Sequence, residues 1–201
     1  MRLVSQLWRE KRILKTVSKI IENLDFCFEH SPVKIIANRN CPEIKLAGLV
    51  IGPFEEGNEH EVPFWIAQEL EKTGIARLHE EEALDATKLY KIQWTERVQT
   101  ASQISKLPEN FYPKLRRYLE ELEKEAAKAP EKLREYEKIR HLTRDTINSR
   151  LKKIVSLASA PDQTEQLLKN LAREERFLYE ELHKLISEWR TKVLEYEGDK
   201  E

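Results

Sequence analysis

The stretch from Gly48 to Leu78, GLVIGPFEEGNEHEVPFWIAQELEKTGIARL, constrains the fold of this chain more than any other. Gly52-Pro53 and Gly57-Asn58 are turn-forming pairs that close off the apolar run Leu46 to Ile51. Pro63 suits a first helical turn, where the missing N–H costs nothing and φ is already set. Phe64, Ala67 and Leu70 follow at helical spacing with Trp65 beside them, so this helix has an apolar face and Trp65 is expected to anchor it. Gly74 fits a helix C-cap, and Ile75 to Leu78 alternates as a strand does. Upstream, Val33 to Ile36 and Ile44 to Ile51 read as strands around the turn Asn38 to Pro42. The pattern predicts a three- or four-stranded antiparallel sheet covered by the helix from Pro63. So small a sheet is marginal alone and should pack on something else.

Beyond Glu80 the period becomes helical. Glu82 to Ser102 carries Leu84, Leu89, Ile92 and Val98. A loop at Leu107 to Asn110 leads to a helix opening at Phe111-Tyr112-Pro113, with Leu115, Leu119, Leu122 and Ala126 spaced four, three and four apart; Pro130 ends it. The next helix runs from Glu131 to about Ser159, with Leu133, Tyr136, Ile147, Leu151, Ile154 and Ala158. Pro161 breaks the chain, and Asp162 with Glu165 has the spacing of a capping box. The last helix carries Leu171, Leu178, Leu182, Leu185, Trp189, Val193 and Tyr196. At the N-terminus, Leu3 to Leu24 forms a basic amphipathic helix with Leu7, Leu14, Val17, Ile20, Ile21 and Leu24 near one side. The fold class is mainly α with a small β-domain: an N-terminal helical extension (1–24), a β-rich domain with one helix (25–80) and a helical-bundle domain (81–201).

Charge narrows the function. Lys and Arg number 35 against 36 Asp and Glu, a net charge of -1, which argues against a general electrostatic grip on DNA. The basic excess is confined to the N-terminal helix and to Arg140, Arg144, Arg150, Lys152 and Lys153, opposed there by Asp145 alone. Arg150, Lys152 and Lys153 are therefore the candidates for a weak, salt-dependent nucleic-acid contact, set against pairing with acidic residues of neighbouring helices. The 35% charged content with a single Met leans toward a thermophile's ion-paired surface. No apolar run reaches the roughly 20 residues a membrane span needs, and the N-terminus lacks the pattern of a secretory signal.

Chemistry-bearing motifs are sparse. Cys27-x-x-His30 with Cys41 offers three of the four ligands that structural zinc requires, so free thiols, buried or half-buried, are the preferred reading. Glu180-x-x-His183 matches half of a di-iron carboxylate site, which needs that element twice plus two further Glu residues; no second Glu-x-x-His occurs in the helices, and Glu180 lies about 200° from Leu178 and Leu182 around the helix. No Gly-rich phosphate loop, nucleophile elbow or His-Glu-x-x-His helix occurs. No catalytic residue and no cofactor or metal site is expected.

The ordered set Gly52-Pro53-Phe54, Val62-Pro63-Phe64-Trp65-Ile66-Ala67 and Leu70 resembles the β-domain of GINS, the scaffold subunits of the replicative helicase in archaea and eukaryotes. The helical half is similar to the same family: Leu107-Pro108 through Phe111-Tyr112 and Leu115; Arg150-Leu151-Lys152-Lys153-Ile154; and Asn170-Leu171 with Glu174-Glu175 and Leu178. The resemblance spans about Asp25 to Arg190. It implies an archaeal type with the β-domain first, and a cytoplasmic, nucleoid-associated scaffold without catalysis. It also implies partners: a sister subunit of opposite domain order, two copies of each, the MCM helicase and a RecJ-like nuclease-family protein. Any DNA contact would be weak or indirect, with no membrane. Leu115, Leu119, Leu122, Leu178, Leu182, Leu185 and Trp189 are the core or interface candidates, the helices around Phe111–Leu122 and Leu178–Trp189 supplying much of the interface. A helical adaptor unrelated to replication is the alternative.

Overall fold

The computed structural model describes residues 17–46, 48–99, 103–160 and 165–194. Two compact units divide the chain, Met1–Leu84 and Asp85–Glu201. Most of the predicted N-terminal helix, including Leu7 and Leu14, lies outside the described residues.

The first unit opens with helix α1, described over residues 17–29. Val17, Ile20, Ile21 and Leu24 are half-buried on it, and it continues past residue 24 to bring Phe28 into the core, 4.4 Å from the Phe64 ring. Strand β1 (Pro32–Ala37) lies between β4 (Glu59–Pro63) and β5 (Ala76–Leu78) in a three-stranded antiparallel sheet. Its register pairs Val33 with Val62 and Ile35 with both His60 and Leu78. Val33, Ile35 and Ala37 alternate inward, as a half-buried strand requires.

β4 had no counterpart in the sequence reading, because Glu59-His60-Glu61 offers no apolar alternation. The expected strand Ile44–Ile51 is in fact two, β2 (Ile44–Leu46) and β3 (Leu49–Ile51), folded back on each other. Gly48 at φ +84° makes the reversal: that backbone conformation is open to glycine and strained for other residues. In the same register further down, Cys41 and Phe54 form a bridge.

Pro63 closes β4 with extended backbone, and α2 (Phe64–Lys72) starts at once. Phe64, Ile66, Ala67 and Leu70 are buried. Trp65 packs half-buried at the core's margin, so the anchoring belongs to its neighbours. The helix ends as predicted: Ile75 N–H donates to the Leu70 carbonyl and Gly74 N–H to that of Glu71, both at 2.9 Å, with Gly74 at φ +68°. This double closure satisfies carbonyls that a helix end leaves unpaired.

The second unit is helical. α3 (Ala86–Val98) is shorter than the expected span because the Asp85 carboxylate accepts from Lys88 N–H at 2.7 Å and fixes its start. α4 (Phe111–Lys128) and α5 (Pro130–Ser159) are joined by Ala129 alone; Pro130 ends one helix by beginning the next. Following the one-turn α6 (Glu165–Leu168) comes α7 (Arg173–Leu194). Asp162 of the predicted capping box is outside the described residues. α5 packs against α3, α4 and α7, and its thirty residues are the spine of the bundle.

Candidate functional site

The densest chemistry in the chain is a buried ionic network at the centre of the helical unit. Glu96 (α3), Arg150 and Lys153 (α5) and Glu175 (α7) are each at least 95% buried. Arg150 grips Glu175 with both ends of its guanidinium, Nε to Oε1 at 2.5 Å and Nη2 to Oε2 at 2.7 Å. Its Nη1 donates to Glu96 and to the Ser105 carbonyl, the latter at 3.0 Å. Lys153 Nζ donates to Glu96 Oε2 at 2.7 Å and to the Glu96 carbonyl at 3.0 Å. Ser105 reaches Glu96 through its hydroxyl and its backbone N–H, and Tyr112 O–H donates to Glu175 at 2.6 Å.

Glu175 also accepts from the Ala172 N–H at 2.9 Å, capping the first turn of α7 where the helix dipole favours an anion. Asn170 Nδ2 adds a bond to the Ile104 carbonyl at 3.0 Å. Two carboxylates and two cations balance, which is the condition under which charges can leave water. Burial pushes the Glu96 carboxyl up, but hydrogen bonds from Lys153 and Ser105 and the Arg150 charge outweigh it and hold the group below its ordinary range. For Arg150, the hydrogen bonds and charge of Glu175 overcome the opposing effect of burial and raise its pKa. Tyr112 is raised by burial and by the Glu175 charge beside it.

For Arg150 and Lys153 this arrangement replaces the nucleic-acid contact with the alternative set against it, pairing with acidic residues of neighbouring helices, though inside the bundle rather than on a solvated flank. Arg150 and Lys153 are 1% and 4% exposed with their charges committed inside the unit, so neither reaches a phosphate. Lys152, the third candidate, is exposed. Sequence reasoning missed Glu96, Tyr112 and Glu175 as partners. One signal was present: Glu96 follows Leu89 by seven residues, two helical turns, which sets a carboxylate on the apolar face of α3.

The apolar candidates split. Leu115 and Leu122 are buried within their own unit along with Phe111, and Leu119 is half-buried, so the apolar face of α4 is spent inside the bundle. Leu178 and Leu182 are half-buried on a cluster of Ile104, Ile154, Leu157, Ala158, Leu171 and Tyr179. Leu185 and Trp189, three and seven residues past Leu182, are both 63% exposed, with Val193 at 60% behind them. On α3, Tyr90, Trp94 and Val98 recur every four residues and are exposed; Trp94 and Val98, each two residues from Glu96, lie about 200° around the helix from it. Trp94 was absent from the sequence reading.

Other motifs resolve into ordinary contacts. Glu180 is exposed and pairs with Arg176 at 3.1 Å, while His183 Nδ1 meets the Ala158 carbonyl at 3.1 Å. Cys27 is an exposed free thiol rather than a buried one, and Cys41 is half-buried. Among the described residues no cluster of three or more His, Cys, Asp or Glu could hold a metal ion. No described helix is long and apolar enough to cross a membrane.

A β-rich unit ahead of a helical bundle that buries four balanced charges at its centre defines a two-domain helical-bundle protein. Residues 83–194 match the GINS complex protein helical bundle domain, and residues 21–79 match the PSF2 N-terminal domain. The chain belongs to the GINS family. It is 32% identical over 131 residues to the DNA replication complex GINS protein PSF2 of Homo sapiens, and 30% identical over 131 residues to that of Xenopus laevis. Each match covers 65% of this chain and 66% of the relative, so the chain spans a little under two thirds of the curated relatives it matches.

Proposed function

We propose that this chain is a non-catalytic scaffold subunit of a GINS complex in DNA replication, of the type in which the β-domain precedes the helical one. Its bundle assembles with a sister subunit of opposite domain order, two copies of each. The complex then joins an MCM helicase ring to a RecJ-like nuclease-family protein, in the cytoplasm at the nucleoid. Such a subunit contributes surfaces rather than bond-making steps. It clamps partners so that the ring is held closed around DNA, and any DNA contact of its own is weak, with Lys152 the remaining candidate of the original three.

The observation carrying this reading is the apolar row of α7. Leu178 and Leu182 face the subunit's own cluster, and the row then continues into Leu185 and Trp189, which nothing in the chain's described residues covers. Large exposed apolar residues in a row mark an interaction surface, and family membership supplies the kind of partner. The test is the mass of the assembly formed when the chain is co-expressed with a candidate sister subunit. A mass of two copies of each, retaining MCM on an affinity column, is expected. A stable monomer that ignores the sister subunit at micromolar concentration would sink the proposal and leave the general adaptor reading.

A further inference from the structure

Helix α5 carries an exposed row beside the charges it buries. Arg140, Arg144, Ile147, Leu151 and Val155 follow one another four, three, four and four residues apart, which at about 100° per residue keeps all five within a sector about 80° wide. Each is exposed, the three apolar members at 39%, 41% and 42%. Neither arginine forms an ion pair among the described residues. Apolar residues left exposed in a row mark an interaction surface, and the cations at one end of this row make it selective for charge. The excess is local. Residues 85–201 hold 24 Lys and Arg against 22 Asp and Glu, whereas residues 138–160 hold six against Asp145 alone, and Asp145 lies off the row, about 120° around from Leu151. Glu96 and Glu175 neutralise two of those six, Arg150 and Lys153, inside the bundle, which leaves four to one at the surface. The nearest carboxylate along the row is Glu137, one turn ahead of Arg140.

That charge decides between occupants. Two copies meeting through this face about a two-fold axis would bring four arginines together, and the row supplies no carboxylate to meet them. The chain's first sixteen residues hold five Lys and Arg against Glu10 alone, so they carry the same sign as the face. Residues 195–201 are acidic but offer Tyr196 as their one large apolar side chain, with three positions to cover. No member of the row is aromatic, so the bases of a nucleic acid have nothing to stack on. An amphipathic helix with carboxylates beside its apolar stripe meets both halves of the row at once. We propose that the Arg140–Val155 row docks an acidic amphipathic helix of a partner protein, its apolar stripe on Ile147, Leu151 and Val155 and its Asp or Glu on Arg140 and Arg144. The surface is on a different helix from the α7 row and goes beyond the scaffold reading.

The experiment uses the full chain and a labelled synthetic helical peptide built from Leu and Glu in amphipathic spacing, followed by fluorescence anisotropy. Binding in the range of about 10–100 μM at low salt is expected, weakening as salt is added. Arg140→Glu/Arg144→Glu changes exposed side chains only. It should bind this peptide at least about tenfold more weakly and take up a Leu/Lys peptide of the same spacing, which the parent should not bind. Hydroxyl-radical footprinting of the unmodified protein with the Leu/Glu peptide should show Ile147, Leu151 and Val155 shielded, a readout that needs no variant to fold. A chain ending at Leu194 should bind as the parent does. Equal binding of both peptides by the parent, shielding that spares the three row residues, or a well-folded charge-reversed variant with unchanged affinity would each overturn the proposal. A tenfold gain on removing residues 195–201 would assign the face to the chain's own tail, and a parent homodimer that the charge reversal dissociates would assign it to a second copy; either result overturns it too. So would a single-stranded oligonucleotide that shields the row where the peptide does not.

Discussion

Arg150 and Glu175, on neighbouring helices and 25 residues apart, meet in two parallel hydrogen bonds at 2.5 and 2.7 Å with almost no exposure to water. A planar guanidinium matches a carboxylate in this fork geometry, which a lysine could not reproduce. The pair sits inside a set of partners that satisfies both groups from several sides, so removing either member strands a buried charge.

Arg150→Ala is expected to destabilise the helical unit by about 3–5 kcal/mol, the usual consequence of breaking a buried pair. Lys152→Ala, on the solvent side of the same turn, should change stability by no more than about 0.5 kcal/mol. Denaturant unfolding of the two variants side by side measures the contrast. Equal effects would mean that Arg150 is not held as described.

Acid should loosen the bundle through Glu96. Its carboxyl is held below the ordinary glutamate range in the folded state, so the associated stability is present above the unfolded-state value, near pH 4.3, and is lost as pH falls through the lower folded-state value. Glu96→Gln should be less stable than the parent at pH 7. Below about pH 4 its stability should fall less steeply, because one linked proton is gone. Thermal melts across pH 2 to 7 check both halves; parallel curves would contradict the assignment.

Phe64→Ala should cost the β-rich unit about 3–5 kcal/mol, as emptying a large buried aromatic site does. Trp65→Ala should cost distinctly less, since that ring packs half-exposed at the margin of the same core. The order of the two melting temperatures decides it.

Gly74→Ala isolates backbone from packing. An added Cβ would meet no atom within 4 Å, so the expected loss of about 1–2 kcal/mol comes from the left-handed φ of +68° alone. Asparagine at this position should recover part of it, tolerating that conformation better than alanine does. A neutral Gly74→Ala would mean the helix end rearranges.

Leu185→Ser/Trp189→Ser should leave the melting temperature of the isolated chain nearly unchanged, because both residues are largely exposed. On the scaffold proposal, the same variant loses co-purification with the sister subunit. Retained co-purification would move the interface elsewhere on the bundle.

Local signals carried much of this fold. Gly74 announced its cap, Pro130 its helix break, and Val33, Ile35 and Phe64 their burial, because each rests on neighbours in sequence. Leu46 to Ile51 misled for a related reason: an unbroken apolar run does not reveal that Gly48 reverses it. Arg150 and Lys153 were legible as a cationic cluster but not as an internal one. Their partners Glu96 and Glu175 lie 54 and 25 residues from Arg150, and no periodicity links them. The resemblance carried by Arg150-x-x-Lys153-Ile154 and by Asn170-Leu171 through Glu175 marked residues that the fold gathers into one place, without saying that charge neutralisation is what they do there.

Glu96, Ser105, Tyr112, Arg150, Lys153 and Glu175 come from three helices of the spine's surroundings, from the spine itself and from the connection ahead of α4, so the loss of α3, α5 or α7 leaves the buried charges unbalanced. A partly folded bundle lacking α7 would hold Arg150 against Glu96 alone, with one cation in excess and a desolvation cost unmet. Intermediates of that kind are disfavoured relative to both ends of the reaction, which makes the helical unit fold and melt as a single cooperative step. One calorimetric transition for residues 85–201, rather than successive loss of helices, is the thermodynamic signature of that shared charge.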